Sequence, residues 1–142
     1  METLDAVAVL ITNAKKDKFF FQIKDETYPR IKYRNKPATF GGKIEKEESP
    51  DNAINRELSE ELGIEAYEII KNKIKYLRDY KYIKDDIYIH IYLYEAVLED
   101  KELMKLSKLP VNEGSSKLFD KKDIVFDDFV LGVGIILNNY IG

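Results

Sequence analysis

The chain has 142 residues, of which 44% are hydrophobic and 35% charged, with a formal net charge of −3. That length suits a single domain, 1–142, with a substantial core, and the mixed charge offers no basic field for a DNA duplex or an anionic membrane. Cysteine is absent and there is one histidine, which excludes a disulfide framework and a structural zinc site and makes a reducing cytoplasm the expected compartment. No apolar run nears the ~18 residues of a membrane span, and no signal-peptide pattern opens the chain.

Leu4 to Thr12 (LDAVAVLIT) is a near-continuous apolar run rich in Val and Ile and reads as a buried strand. A polar turn, Asn13 to Asp17, leads to a second strand, Lys18 to Lys24, expected to pair with the first as a hairpin. Asp25 to Pro37 is a polar connection carrying Tyr28-Pro29-Arg30 and Tyr33-Arg34. There an aromatic ring can stack on a substrate and Arg30 can face a phosphate; the other reading is a solvated loop with surface aromatics. Ala38 to Phe40 is a short strand that delivers the chain into Gly41.

Gly41 to Ile64 (GGKIEKEESPDNAINRELSEELGI) is the stretch with chemistry in it. Two glycines open a bend. Ser49 suits an N-cap, Pro50 the first helical position and Asp51 the positive end of the dipole, so a helix is predicted over Pro50 to Leu62, with Gly63 as its stop. Ala53, Ile54, Leu58 and Leu62 form its apolar stripe. Glu57, Glu60 and Glu61 share another face, where like charges at i, i+3 and i+4 cost roughly 0.2–0.5 kcal/mol a pair. The last two also sit at the end of the dipole that disfavours anions. A helix selected for stability alone would not carry them there; a divalent cation reverses the sign, because hard cations take carboxylate oxygens and substrate phosphates. The alternative is a solvated acidic face.

Downstream, Tyr67 to Tyr80 has β-like stretches and Lys81 to Asp86 reads as a charged turn. Ile87 to Leu98 alternates cleanly, with Ile87, Ile89, Ile91 and Leu93 on one face and Tyr88, His90, Tyr92 and Tyr94 on the other. The aliphatic face is expected in the core; the aromatic face either borders a base-binding cleft or packs under a helix. His90 is mid-strand without a histidine or cysteine companion and reads as a packing residue. Asp100 to Leu109 is a short charged segment with helical character, Pro110 to Ser116 a loop, Lys117 to Phe119 a short strand and Asp120 to Val125 a turn or helical start. A final helix is predicted over Asp128 to Tyr140, capped by Asp127 and weakened by Gly132 and Gly134.

The central stretch resembles the Nudix box: Gly42, five residues, Glu48, seven residues, Arg56-Glu57-Leu58, one residue, Glu60-Glu61, one residue, Gly63-Ile64, with no gap. The resemblance implies the Nudix α/β/α sandwich, a mixed β-sheet between helices, as does the order of the elements. It also implies Mg²⁺-dependent hydrolysis of a nucleoside diphosphate linked to another moiety, with Mn²⁺ as a substitute metal. Glu57, Glu60, Glu61 and the Gly41 carbonyl would hold the metal, Glu57 alternatively accepting the proton from water. Arg56 and Glu48 would form an ion pair that orients the carboxylates. A later loop acid serves some members as ligand or base, and Glu113 is the first candidate by chain order, ahead of Glu95 and Asp85-Asp86.

For the substrate, the small size resembles housecleaning nucleoside triphosphate pyrophosphohydrolases, which would release a monophosphate and pyrophosphate from, for example, an oxidised deoxynucleotide. Phe40 departs from the proline common there. Tyr80 and Tyr82, at the distance of a tyrosine found in dinucleoside polyphosphate hydrolases, make that class the alternative and are candidate substrate contacts. A catalytically silent nucleotide sensor is the reading from another class, and the intact box speaks against it. The expected partner is a small nucleotide, for a monomer or a homodimer.

Overall fold

A computed structural model describes residues 1–142. The first strand, β1, spans Glu2–Asn13, longer than its apolar run, because it is paired along its whole length with a parallel strand far down the chain. The second, β2 (Lys18–Ile23), meets β1 antiparallel only at Ile11 and Thr12. The other half of the same β1 edge, Ala6 to Val9, is taken by β4 (Phe40–Lys43), which follows a two-residue strand, β3 (Pro37–Ala38). Helix α1 covers Pro50–Leu62, the span read from its caps.

Between Gly63 and Lys84 the structure departs from the sequence reading. Ile64–Ile70 is a second helix, α2, set directly against the first across Gly63, and Ile74–Lys84 is strand β5. The β-branched residues that suggested a strand at Ile69 and Ile70 instead bury α2 on the core, a case of tertiary packing overriding local propensity. The charged turn also shrinks: β5 runs through Lys84, and Asp85-Asp86 alone make the bend, both with positive φ (55° and 62°), the two-residue hairpin geometry that Asp tolerates. Strand β6 is Ile87–Leu98, followed by α3 (Asp100–Ser107), closed by a Glu99/Glu102 capping box. Strand β7 is Ser115–Asp120. The last helix, α4, begins at Val133 and ends at Ile141, five residues later than read. Phe126–Asp128 and Val130–Gly132 are 3-10 turns, and Gly132, left-handed at φ 75°, replaces Asp127 as the residue before the helix. Gly134 has no room for a side chain, since a Cβ would lie 1.8 Å from the Phe126 carbonyl oxygen.

The sheet order is β3-β2-β1-β6-β5, with β4 on β1 and β7 on β2. The alternation in β1, β2 and β6 divides the core by face. Val7, Val9, Ile11, Phe20, Phe40 and Tyr94 pack under α1, α2 and α3. Ala6, Ala8, Leu10, Phe19, Phe21, Ile89, Ile91 and Leu93 pack under α4. Each fully buried Phe contributes roughly 1.5–3 kcal/mol relative to exposure. The chain is thus an α/β protein with a mixed sheet between helices. No helix is long and apolar enough to cross a membrane.

Candidate active site

Helix α1 is fixed at both ends before it carries any chemistry. Ser49 Oγ accepts the Asn52 N–H at 3.1 Å, and at the far end Asn112 donates its backbone N–H to the Glu61 carbonyl (2.8 Å) and its side-chain N–H to the Glu60 carbonyl (3.0 Å). These last-turn carbonyls have no partner within the helix, so Asn112 both closes α1 and brings the following Glu113 up to it.

The acidic face divides by depth. Glu61 is 2% exposed; its Oε1 accepts the Gly41 N–H at 2.7 Å. Glu57, with a side chain 16% exposed, lies against Gly42, where a Cβ would come within 2.7 Å of its carboxyl carbon. Glu60, 54% exposed, stands at the rim. At Gly41, φ is +142° and a Cβ would lie 2.1 Å from the Val7 carbonyl oxygen. Both glycines are therefore close-approach positions: one lets β4 pass β1, the other admits the Glu57 carboxylate.

Arg56 organises the cluster. It is bidentate to Glu48 (Nε at 2.7 Å, Nη2 at 2.9 Å). It also donates to Glu57 Oε1 (2.9 Å), Glu60 Oε2 (3.5 Å) and the Lys43 carbonyl (3.1 Å). Planar, bidentate geometry of this kind fixes both orientation and charge. The Arg56 guanidinium, with the Glu45 N–H behind it, holds Glu48 down to a pKa of about 2. Burial acts the opposite way on the helix acids. It raises Glu57 above the ordinary carboxylate range despite Arg56, and it raises Glu61 to about 8 against the lowering effects of the Gly41 N–H and Lys24. Glu113 adds to both increases by repulsion.

This donor set fits a hard divalent cation. Its ligating atoms are oxygens, two carboxylates are desolvated beyond what their hydrogen bonds compensate, and neighbouring acids raise them further: Glu60 and Glu113 raise Glu57, and Glu57 and Glu113 raise Glu61. With Arg56 drawing Glu57 and Glu60 and the Gly41 amide holding Glu61, no three acidic or histidine side chains converge on one point. Metal binding would have to turn the carboxylates from those partners.

The structure brings Gly41, Glu48, Arg56, Glu57, Glu60 and Glu61 into one cluster and sets Glu113 on its border. The remaining candidates have other partners. Arg30 reaches Glu2 at 3.4 Å. The Tyr80 hydroxyl donates to Asn139 (2.6 Å) and the Tyr82 hydroxyl to the Leu131 carbonyl (3.0 Å), so both lie against the α4 side of the sheet. Of the aromatic face of β6, Tyr94 is buried and donates to Asp51 at 2.5 Å, while His90 Nε2 sits 2.6 Å from Asp79.

Sequence reading missed Lys24, Asn112 and Gln22. Lys24 lines two clefts flanking the acids: an apolar one of about 110 Å³ with Gly41, Gly42, Ile89, Ile91 and Leu131, and a polar one of about 290 Å³ with Gln22, Asp25, Asn112 and Glu113. The one local signal was Gln22, a polar residue at an inward position of an otherwise aromatic strand.

A family model described as NUDIX domain matches residues 2–120. Among solved structures, a mutT/nudix family protein from Listeria innocua superposes with a TM-score of 0.69 at 17% identity, over 99% of this chain and 93% of that one. The MutT protein from Methanosarcina mazei Go1 gives 0.64 at 15%, over 99% and 94%. The E. coli ORF135 protein gives 0.63 at 16%, over 99% and 90%. No curated protein sequence matches the chain. At these identities the structures speak for the fold alone, but the family model takes in most of the chain, including every residue of the acidic cluster. The chain therefore belongs to the Nudix family and is a pyrophosphohydrolase acting on phosphorus-containing acid anhydrides in nucleoside diphosphate-linked substrates.

Proposed function

We propose that this hydrolysis depends on Mg²⁺, or Mn²⁺ in its place, held by Glu57, Glu60, Glu61 and the Gly41 carbonyl, with Glu113 at the edge of the site. The carrying observation is the pair of buried carboxyls, Glu57 and Glu61, set against two close-packed glycines, where Arg56, the Gly41 N–H and the charge of Lys24 do not offset the cost of burial. When bound, the metal supplies charge neutralisation of the phosphates and lowers the pKa of its water. The chain does the positioning. Arg56, locked by Glu48, keeps Glu57 and Glu60 on one side of α1. The Gly41 N–H holds Glu61 until an ion draws it away, and Glu57, its affinity for protons raised by burial, either ligates the metal or accepts the proton of the attacking water. Lys24 stands where it can meet a phosphate oxygen between the two clefts.

A nucleoside triphosphate of the housecleaning type, cut to monophosphate and pyrophosphate, is the favoured substrate. The dinucleoside polyphosphate alternative rested on Tyr80 and Tyr82, whose hydroxyls are engaged by Asn139 and Leu131.

The test is a chromatographic screen of ordinary and oxidised nucleoside triphosphates, dinucleoside polyphosphates, ADP-ribose and nucleotide sugars, with Mg²⁺ and with chelator. Metal-dependent release of monophosphate plus pyrophosphate is expected. Glu60→Gln, at an exposed position that leaves the fold intact, lowers turnover at least about a hundredfold. A saturated Glu60→Gln enzyme at normal rate overturns the metal assignment; nucleotide binding without turnover of any substrate makes the chain a sensor.

A further inference from the structure

The polar cleft beside the acidic cluster contains an unmet hydrogen-bond demand. Gln22, on β2, is 1% exposed. Its Nε2 donates to the Glu113 carbonyl at 3.2 Å, but its Oε1 has no partner. A buried amide oxygen left unpaired costs on the order of 1–3 kcal/mol, and a residue such as Met would fill the same space without that cost. Gln22 lines the cleft together with Lys24, Asp25, Thr27, Tyr28, Asn112 and Glu113.

The other groups have the same bias. The Glu113 carboxylate accepts no hydrogen bond and forms no ion pair. Asp25 Oδ1 is occupied by the Thr27 N–H (2.8 Å) and hydroxyl (2.5 Å), and one of the two Asn112 side-chain N–H groups by the Glu60 carbonyl. What remains open are acceptors: Gln22 Oε1, Glu113 and the second Asp25 oxygen. The charged donor is the Lys24 ammonium, 5.0 Å over the Tyr28 ring, at the border with the apolar cleft; the neutral ones are the second Asn112 N–H and the Tyr28 hydroxyl. A bare phosphate, all acceptor, faces the Glu113 and Asp25 carboxylates and Gln22 Oε1 in that wall, with Lys24 as its one cationic partner. A group with several O–H donors attached to a phosphate suits it: hydroxyls toward Gln22 and Glu113, phosphate toward Lys24, one sugar face against Tyr28.

We propose that this cleft binds the hydroxyls of a phosphate-linked sugar, with Gln22 Oε1 as the discriminating acceptor. The proposal rests on the hydrolase reading for its substrate and gives that substrate a hydroxyl requirement. Two sources share the chemistry: the ribose of the nucleoside itself, or a sugar on the far phosphate. The cleft, about 290 Å³ and open, holds one ring of either kind.

Binding is measured first, by calorimetry on metal-free protein with ribose 5-phosphate and 2-deoxyribose 5-phosphate. The ribose compound is expected to bind on the order of tenfold more tightly, the worth of one hydrogen bond to a buried acceptor, and Gln22→Met is expected to abolish the difference. Turnover then separates the sources. A drop in kcat/KM from ribo- to 2′-deoxyribonucleoside triphosphates assigns the cleft to the nucleoside. A preference for a nucleoside diphosphate sugar over the same nucleotide capped by methyl phosphate assigns it to the far group. Equal binding of the two sugar phosphates, or a preference that survives in Gln22→Met, overturns the proposal. If Gln22→Met does not fold, the wild-type pair decides alone. Discriminated binding with no turnover of any anhydride keeps the proposal and removes the hydrolase reading; turnover without discrimination does the reverse.

Discussion

Replacing Glu61 by Gln gives a direct measure of the charge that the fold has buried. The carboxyl is almost wholly enclosed and its pKa stands at about 8, raised from 4.5 chiefly by burial. Below pH 4.5 both folded and unfolded chains carry the proton, and Glu61 contributes no penalty. Between pH 4.5 and 8 the unfolded chain releases the proton while the native one keeps it, so stability falls as pH rises; above 8 the penalty is complete. At ~1.36 kcal/mol per pH unit of displacement, the full penalty approaches about 5 kcal/mol, a large part of the stability of an ordinary domain. Glu61→Gln mimics the protonated acid and can still accept the Gly41 N–H. In chelator, urea denaturation at a series of pH values is therefore expected to show the two proteins converging near pH 4.5. By pH 8.5 Glu61→Gln should be more stable by several kcal/mol. Mg²⁺ restores the wild type at high pH and does little for the variant, because the ion replaces the proton. Parallel stability curves from pH 4.5 to 8.5 in chelator would refute the buried-charge reasoning.

Gly41→Ala places a methyl group against the Val7 carbonyl in a backbone region that L-residues avoid; a loss of about 3 kcal/mol or more is expected in thermal denaturation. Arg56→Met frees Glu48, Glu57 and Glu60 from their common partner. It should cost roughly 2–4 kcal/mol and leave a protein whose melting temperature rises more steeply with Mg²⁺ than that of the wild type.

Helix α1 was legible to the residue because its signals are local: Ser49, Pro50 and Gly63 define the ends within four turns of chain. The same holds for the alternation of β6, whose aliphatic face is the buried one under α4. What local signals missed depends on distant packing. Ile69 and Ile70 have strand propensity, yet α1 and α3 offer them a helical seat. Asp127 looks like a cap, but the approach of Gly134 to the Phe126 carbonyl fixes the start of α4 six residues later. In the site, the carboxylates were readable because one helix turn sets their spacing. Asn112 was not, since a loop residue that closes a helix fifty residues away leaves no periodicity. Arg30, Tyr80 and Tyr82 were singled out by residue type alone, and residue type does not say which partner is nearer.

The parallel ladder between β1 and β6 has a consequence in time. Every one of its pairs, from Glu2↔Ile87 to Asn13↔Leu98, joins residues 85 positions apart. At synthesis rates of roughly 5–20 residues per second, β1 waits on the order of 4 to 17 s for its principal neighbour. During that interval LDAVAVLIT is an uncharged-centred, β-prone segment without its cover, while α1 is already made and has no complete sheet to rest on. Non-local parallel pairing is also the slow kind once the whole chain is available. The acidic helix is thus synthesised before the sheet beneath it is complete, and the site waits further for Asn112 and Glu113, which follow β6 in the chain.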